Sequence, residues 1–206
     1  MDRGIHHGGI TLKKPDFGTY HYCTPKSSEE LRSELRGVYT QAFRKLPFSK
    51  NEKIKILDIG CGLGFLSCLC AEFFTDAVIT GFDKFKDSSL KGSSIDKARE
   101  NARILGFEHR IRFFKGDILH ADFREEGIDL FVSNLVYHNL GRMRFRAYER
   151  LASWVTRDSY VVLGELFFGH GQDIERLSRL FREVNEVQAA KKIGGGFRLL
   201  ILSDPR

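Results

Sequence analysis

A β-branched apolar run that stops at an acid and turns at once through three glycines constrains this chain more than any other feature. The stretch is Ile54 to Leu66, IKILDIGCGLGFL. Ile54, Ile56, Leu57 and Ile59 suit a strand buried on both faces. Gly60, Gly62 and Gly64 let the backbone turn sharply and approach a ligand that a Cβ would exclude. The apolar run from Phe65 to Phe74 then reads as a helix starting directly at the turn. Unpaired N–H groups at that helix start, with the positive end of its dipole, favour an anionic ligand group nearby. Spacing narrows the choice. A dinucleotide fingerprint needs its third glycine at position 65, which is Phe65, and no Lys-Ser/Thr follows the turn, so a phosphate-gripping P-loop is excluded.

The rest of the chain alternates strand and helix patterns. Ser27 or Ser28 caps an amphipathic helix whose apolar set (Leu31, Leu35, Val38, Phe43, Leu46) ends before Pro47. Ala77–Asp83, Ile111–Phe114, Ile128–Ser133 and Tyr160–Phe168 read as further strands. The sequence predicts helices over Ser94–Gly106, Arg142–Thr156 and Gln172–Val184. Val187–Lys192 and Phe197–Ser203, linked by Gly194-Gly195-Gly196, read as a closing β-hairpin. Residues 1–26, with Pro15, Pro25 and the Tyr20-His21-Tyr22 cluster, suit an irregular arm. The expected organisation is an arm and helix over residues 1–50, then one binding domain over residues 51–206.

Composition excludes several classes. With 206 residues, 42% apolar and 29% charged, the chain suits one globular domain. No apolar stretch approaches the roughly 20 residues of a membrane span, and the opening MDRGIHHGG has no apolar core of a secretory signal. A cytoplasmic location follows, with no membrane. Cys23, Cys61, Cys68 and Cys70 form no C-x-x-C pair and read as reduced packing residues, so no metal is expected. Of the net charge of +6, residues 1–50 and 142–206 each contribute +4 and the middle −2. Basic flanks suit either an acidic or nucleic-acid partner or ordinary solvated helix surface.

The turn after Ile59 resembles motif I of the class I S-adenosylmethionine-dependent methyltransferases, acid-x-G-x-G-x-G, here Asp58, Gly60, Gly62 and Gly64. The resemblance runs from about Lys53 to Ser203. It implies a Rossmann-like, doubly wound α/β sheet of about seven strands closed by the antiparallel hairpin, with S-adenosyl-L-methionine as methyl donor. By the same resemblance Asp58 and the backbone of Gly60, Cys61, Gly62 and Gly64 orient the methionine portion. Asp83 ends the second strand, and an ionised carboxylate there can accept from both ribose hydroxyls. Lys84 and Phe85 pack on the adenosine, Asp117 meets the adenine amino group, and Ile118 packs on the ring. Phe85–Ser94 departs from the family as a polar insertion before the next helix. Tyr20, His21, Tyr22 and Lys26 of the arm are candidates for covering the cofactor or shaping an acceptor pocket.

Acceptor chemistry belongs to SNLVYHNL, just past the fourth strand, because ligands gather beyond the carboxyl ends of central strands. Two comparisons stay open. The nucleobase amino-methyltransferases carry N-P-P-Y or N-L-P-Y, which Asn134 and Tyr137 match with Val136 in place of proline. The small-molecule methyltransferases carry S-N-x-x-x-H, which Asn134, Leu135 and His138 fit without a gap. Asn134, Tyr137 and His138 are therefore the catalytic candidates, His138 as a base or as a helix-start residue bonded to backbone. Glu165, near the end of the fifth strand, is expected to face the pocket. The expected function is methyl transfer to a small-molecule or macromolecular acceptor. An RNA methyltransferase using the basic ends, a non-catalytic partner subunit and an NAD-dependent reductase are the alternatives, and a monomer or homodimer is expected.

Overall fold

The computed structural model describes residues 13–86, 90–121, 127–167, 171–188 and 196–206. In chain order these form α1 (Pro25–Phe43), β1 (Lys55–Ile59), α2 (Phe65–Phe73), β2 (Val78–Asp83), α3 (Ile95–Ile104), β3 (Ile111–Lys115) and β4 (Leu130–Asn134). A 3₁₀ segment (Tyr137–Met143) then leads into α4 (Arg144–Trp154), β5 (Tyr160–Leu166), α5 (Gln172–Leu180), β6 (Phe181–Gln188) and β7 (Phe197–Pro205). The seven strands make one sheet in the order β3-β2-β1-β4-β5-β7-β6. The first five run parallel, and β7 pairs antiparallel with both β5 and β6. This is the doubly wound sheet with a C-terminal hairpin that the motif order implied.

Strand side chains alternate between two cores, as the pleat requires. Ile56, Leu130, Val132 and Val162 face one core with α1, α2 and α3, and Leu57, Ile59, Phe131 and Leu163 face the other with α4 and α5. Helices on both faces explain why the central strands read as continuous apolar runs rather than alternating ones. Helix α1 shares the first core: Phe43 is fully buried, with its ring 5.4 Å from Phe73 and 5.3 Å from Phe74.

Three expected elements move. Helix α1 begins at Pro25, with Thr24 rather than a serine as its cap, because Thr24 and Ser27 exchange hydrogen bonds in a capping box and Pro25 suits the first helical position. The last helix stops at Leu180 instead of Val184. There the backbone becomes extended at Phe181 and pairs with β7, so Phe181 fills the core from a strand; ladder pairing along β7 outweighs one more helical turn. The hairpin's first strand accordingly begins at Phe181, not Val187. The opening MDRGIHHGG, residues 87–89 of the insertion, Phe168, and residues 189–195 with Gly194 and Gly195 lie outside the described residues.

The shared core predicts that Phe43→Ala lowers unfolding stability by about 3–5 kcal/mol in urea titration, as for other fully buried aromatic deletions. A loss under about 1 kcal/mol would show that α1 is not part of the core.

Candidate functional site

The strand order sets the residues at the carboxyl edge of the sheet in a line. Asp117 follows β3, Asp83 ends β2, Asp58 lies in β1, Asn134 ends β4 and Leu166 ends β5. Neighbouring strands lie roughly 4.8 Å apart, so these side chains form one row. All five line a single cavity of about 650 Å³, within the range of small-molecule sites.

The β1 turn is built for close approach. Gly60 and Gly62 both have positive φ, at 72° and 52°. A Cβ on Gly60 would run into the side chain of Val136, and one on Gly62 would lie 2.8 Å from Leu90 Cδ2. The turn is fastened to β2: Gly60 N–H and Cys61 N–H both donate to the Phe82 carbonyl, at 2.8 and 3.1 Å. Gly62 N–H also donates to Asp83 Oδ2 at 3.1 Å, and Phe85 N–H donates to Asp83 Oδ1 at 2.6 Å. Each Asp83 oxygen thus accepts from a backbone donor.

Asp58 is 1% exposed. Its Oδ2 accepts from Ser67 Oγ at 2.5 Å, on the first turn of α2. Burial raises its pKa to about 7, the Ser67 hydrogen bond works the other way, and the charge of Asp83 adds to the rise. Asp117 behaves oppositely. Partial burial works to raise its pKa, but the Leu119 N–H, His120 and Lys84 together hold the carboxyl below the usual range. The Asp117-Ile118 turn is itself pinned by Arg150, whose Nε donates to the Ile118 carbonyl at 2.7 Å.

Beyond β4 the loop is held from beneath. Leu135 takes a positive φ of 58°, and its N–H donates to the Gly164 carbonyl at 2.8 Å. Glu165, 1% exposed, accepts from Val136 N–H at 2.9 Å and Tyr137 N–H at 2.5 Å through Oε2. Its Oε1 pairs with His138 Nδ1. Tyr39 of α1 donates from its hydroxyl to the Ser133 carbonyl at 2.7 Å and to Asn134 Oδ1 at 3.3 Å. Strained backbone of this kind clusters at functional sites; Tyr22, with φ of 62°, lines the same cavity.

The arm crosses the cavity. Phe17, Tyr20, His21, Tyr22 and Cys23 line it, and Tyr20 forms an antiparallel bridge with Leu90 of the insertion. Asn101 of α3 fixes the arm at one end, accepting from Asp16 N–H and donating to the Asp16 carbonyl, each at 2.8 Å. Arg32 of α1 fixes it further along, donating to the carbonyls of Phe17 and Gly18.

Most of the expected residues meet in this cavity: Asp58, Gly60, Cys61, Gly62, Asp83, Lys84, Asp117, Ile118, Asn134 and His138 line it. Tyr137 does not. Its ring is fully buried and stacked on Tyr148, with centroids 4.8 Å apart, because Glu165 draws its N–H down and turns the side chain into the core. The stacking role in the N-P-P-Y comparison is lost with it. Gly64 lies behind the turn, where a Cβ would sit 2.9 Å from Phe113 Cζ, so it serves helix–sheet packing. Phe85 packs against the core, Lys26 is an exposed residue of α1, and Glu165 supports the pocket wall without lining it.

Sequence reasoning missed Ser67, Tyr39, Arg32, Asn101 and Arg150. Arg32 and Tyr39 did leave a signal: Ser28, Arg32, Leu35 and Tyr39 share one helical face, and polar groups on an apolar stripe mark buried hydrogen bonding. Among the described residues, no group of three or more His, Cys, Asp or Glu side chains is set to hold a metal ion.

A family model described as a methyltransferase domain matches residues 50–195. The chain belongs to that family. It is 28% identical over 131 residues to the tRNA1(Val) (adenine(37)-N6)-methyltransferase of Vibrio vulnificus strain YJ016, covering 64% of this chain and 50% of that protein. The chain thus spans about half the length of that relative. Among solved structures, it resembles a TehB-like SAM-dependent methyltransferase from Corynebacterium glutamicum with a TM-score of 0.59 and 19% identity, over 88% of this chain and 100% of the other. It also resembles the [4+2]-cyclase SpnF with a TM-score of 0.63 and 14% identity, over 90% and 84% of the two chains. At such identities the likeness establishes the fold, which hosts more than one chemistry.

The buried Asp58 generates a pH prediction. A carboxyl whose pKa is raised on folding keeps a proton that the unfolded chain has lost, so its stabilising contribution is full below the unfolded value and declines as pH rises towards 7. The stability of the natural chain relative to Asp58→Asn should therefore fall between about pH 4 and pH 7, by up to ~1.4 kcal/mol per pH unit. Parallel urea-unfolding curves for the two proteins over that window would contradict the assignment.

Proposed function

We propose that this chain is an S-adenosyl-L-methionine-dependent methyltransferase whose acceptor binds beyond β4. One observation carries the reading: three carboxylates at the ends of adjacent strands, with a glycine turn among them, line the same cavity as Asn134 and His138. The residues fit the donor. Its sulfonium cation suits an acidic row, its ribose diol matches the two accepting oxygens of Asp83, and its adenine matches Asp117 with Ile118 beside it. When bound, S-adenosyl-L-methionine supplies an electrophilic methyl on a positively charged sulfur.

The chain's own residues then have distinct duties. Asp58 and the Gly60–Gly62 backbone orient the methionine portion, Asp83 holds the ribose, and Lys84 and Asp117 flank the adenine. Asn134, kept in place by Tyr39, faces the acceptor, and His138 removes the acceptor's proton. Much of the rate comes from holding nucleophile and methyl in line, which needs little covalent help. Within the segment of residues 1–50, the arm around residues 17–23 acts as a cover over the cavity while α1 braces the sheet, and residues 51–206 act as the cofactor-binding body. Four free cysteines, three of them buried, accord with a reducing, cytoplasmic setting.

Calorimetry tests the donor site. The natural chain should bind S-adenosyl-L-methionine and its demethylated product, and Asp83→Asn, which keeps a side-chain acceptor for the turn, should weaken both at least tenfold. Failure of the natural chain to bind either compound would overturn the reading, as would undiminished binding by the variant.

A further inference from the structure

The cavity divides sharply by charge along the sheet edge. Among the described residues, every Asp, Glu, Lys or Arg that lines it, Asp58, Asp83, Lys84 and Asp117, sits at or just past the end of β1, β2 or β3. The β4–β5 side carries Asn134, Leu135, Val136, His138, Leu140 and Leu166. The arm and α1 add Tyr20, Tyr22 and Leu31 above it. Among the described residues, no side chain lining that half is formally charged apart from what its histidines contribute, so an anionic acceptor would be desolvated there without a partner cation from them.

Among the described residues, four arginines packed around the site are committed elsewhere. Arg32 is spent on the Phe17 and Gly18 carbonyls, Arg144 on Asp173, Arg150 on the Ile118 and Ala121 carbonyls, and Arg176 on Glu149. A polyanion recognised through its phosphates needs several uncommitted cations beside the site. The volume of about 650 Å³ must also house donor and acceptor together, which leaves room for a small molecule.

His138 adds the reacting group. A carboxylate can only accept, so Nδ1–H donates to Glu165, and the imidazole carries its lone pair on Nε2. An amine acceptor brings its own lone pair; a hydroxyl gains most from a base at the moment of attack, and a weakly acidic one gains most from an imidazole.

Building on the methyltransferase reading, we infer that the acceptor is a small, uncharged, largely apolar molecule methylated on a weakly acidic hydroxyl of phenol or enol type, with Glu165 as the residue that positions His138. In the step, the acceptor O–H bond breaks and its proton passes to His138 Nε2. The oxygen lone pair forms the new O–C bond as the C–S bond breaks. The C–S electron pair stays on sulfur, turning the sulfonium into a neutral thioether. Glu165 stabilises the imidazolium until it returns the proton to water.

The test uses the full chain with radiolabelled S-adenosyl-L-methionine and three acceptors: 4-methylphenol with related uncharged monocyclic phenols, 4-hydroxybenzoate, and total tRNA. The expected result is methyl ether from the uncharged phenols, kcat/KM at least tenfold lower for 4-hydroxybenzoate, and no label in tRNA. His138→Gln and Glu165→Gln should lower kcat by about 10²–10⁴-fold with KM little changed. Glu165→Gln should also shift the His138 ring-nitrogen NMR signals away from the Nδ1–H tautomer; unchanged signals would overturn the positioning role. Because Glu165 also accepts from three backbone amides, those of Val136, Tyr137 and Leu166, its variant is read beside His138→Gln, which leaves them in place. Calorimetry with the demethylated donor separates the failures. If the natural chain does not bind it, the methyltransferase reading and the inference fall together. If it binds, yet none of the phenols is methylated or label enters tRNA, the inference falls and the reading stands.

Discussion

Gly60 and Val136 meet so closely across the carboxyl edge that any side chain at position 60 would displace the loop beyond β4. That contact joins the acidic half of the cavity to the half beyond β4. Its two sides are held independently: the β1 turn hangs from the Phe82 carbonyl and Asp83, while Val136 hangs by its N–H from Glu165 at the end of β5. Four neighbouring strands therefore fix one distance. Catalysis by alignment demands such a constraint, because a displacement of about 1 Å in a bound nucleophile can cost 10²-fold in rate.

Three carboxylates in succession along a sheet edge would repel one another if water were excluded without compensation. The chain relieves this unevenly. Asp83 receives two backbone N–H groups and Asp117 receives one with His120 beside it, whereas the deepest, Asp58, is served by the hydroxyl and backbone of one serine, Ser67. Burial without full compensation is why Asp58 has its pKa raised to about 7, whereas Asp117 is held below the usual range. A cationic ligand over the row would supply the missing compensation, so the electrostatics that disfavour an empty, ionised edge favour the sulfonium donor.

That the acidic row would line one cavity was legible in the sequence because its signals are local. Asp58, the glycines, Asp83 and Asp117 each sit at a strand end that apolar periodicity locates, and parallel order in a doubly wound sheet brings strand ends together. The acceptor half depends on tertiary contacts that no spacing announces. Whether Tyr137 or His138 would face the cavity turned on a buried glutamate 28 residues downstream of the tyrosine, and the string NLVYHNL looks the same in either case. Arg32, Asn101 and Arg150 act through backbone carbonyls far away in sequence, for which a linear pattern has no signature. Phe181 reads as helical in sequence for a related reason: its apolar periodicity fits either element, and only pairing with β7 decides.

The arm gives the fold its asymmetry, since Asn101 and Arg32 strap it across the donor and acceptor halves alike while the Tyr20–Leu90 bridge ties it to the insertion. The central claim is that the acidic row and the glycine turn together form a donor site that points its methyl towards Asn134. A crystal structure with S-adenosylhomocysteine bound tests this most directly. The account requires the adenine beside Asp117, the ribose hydroxyls on Asp83 and the sulfur facing the end of β4. A ligand bound elsewhere, or bound in this cavity with its sulfur turned away from Asn134, would contradict it.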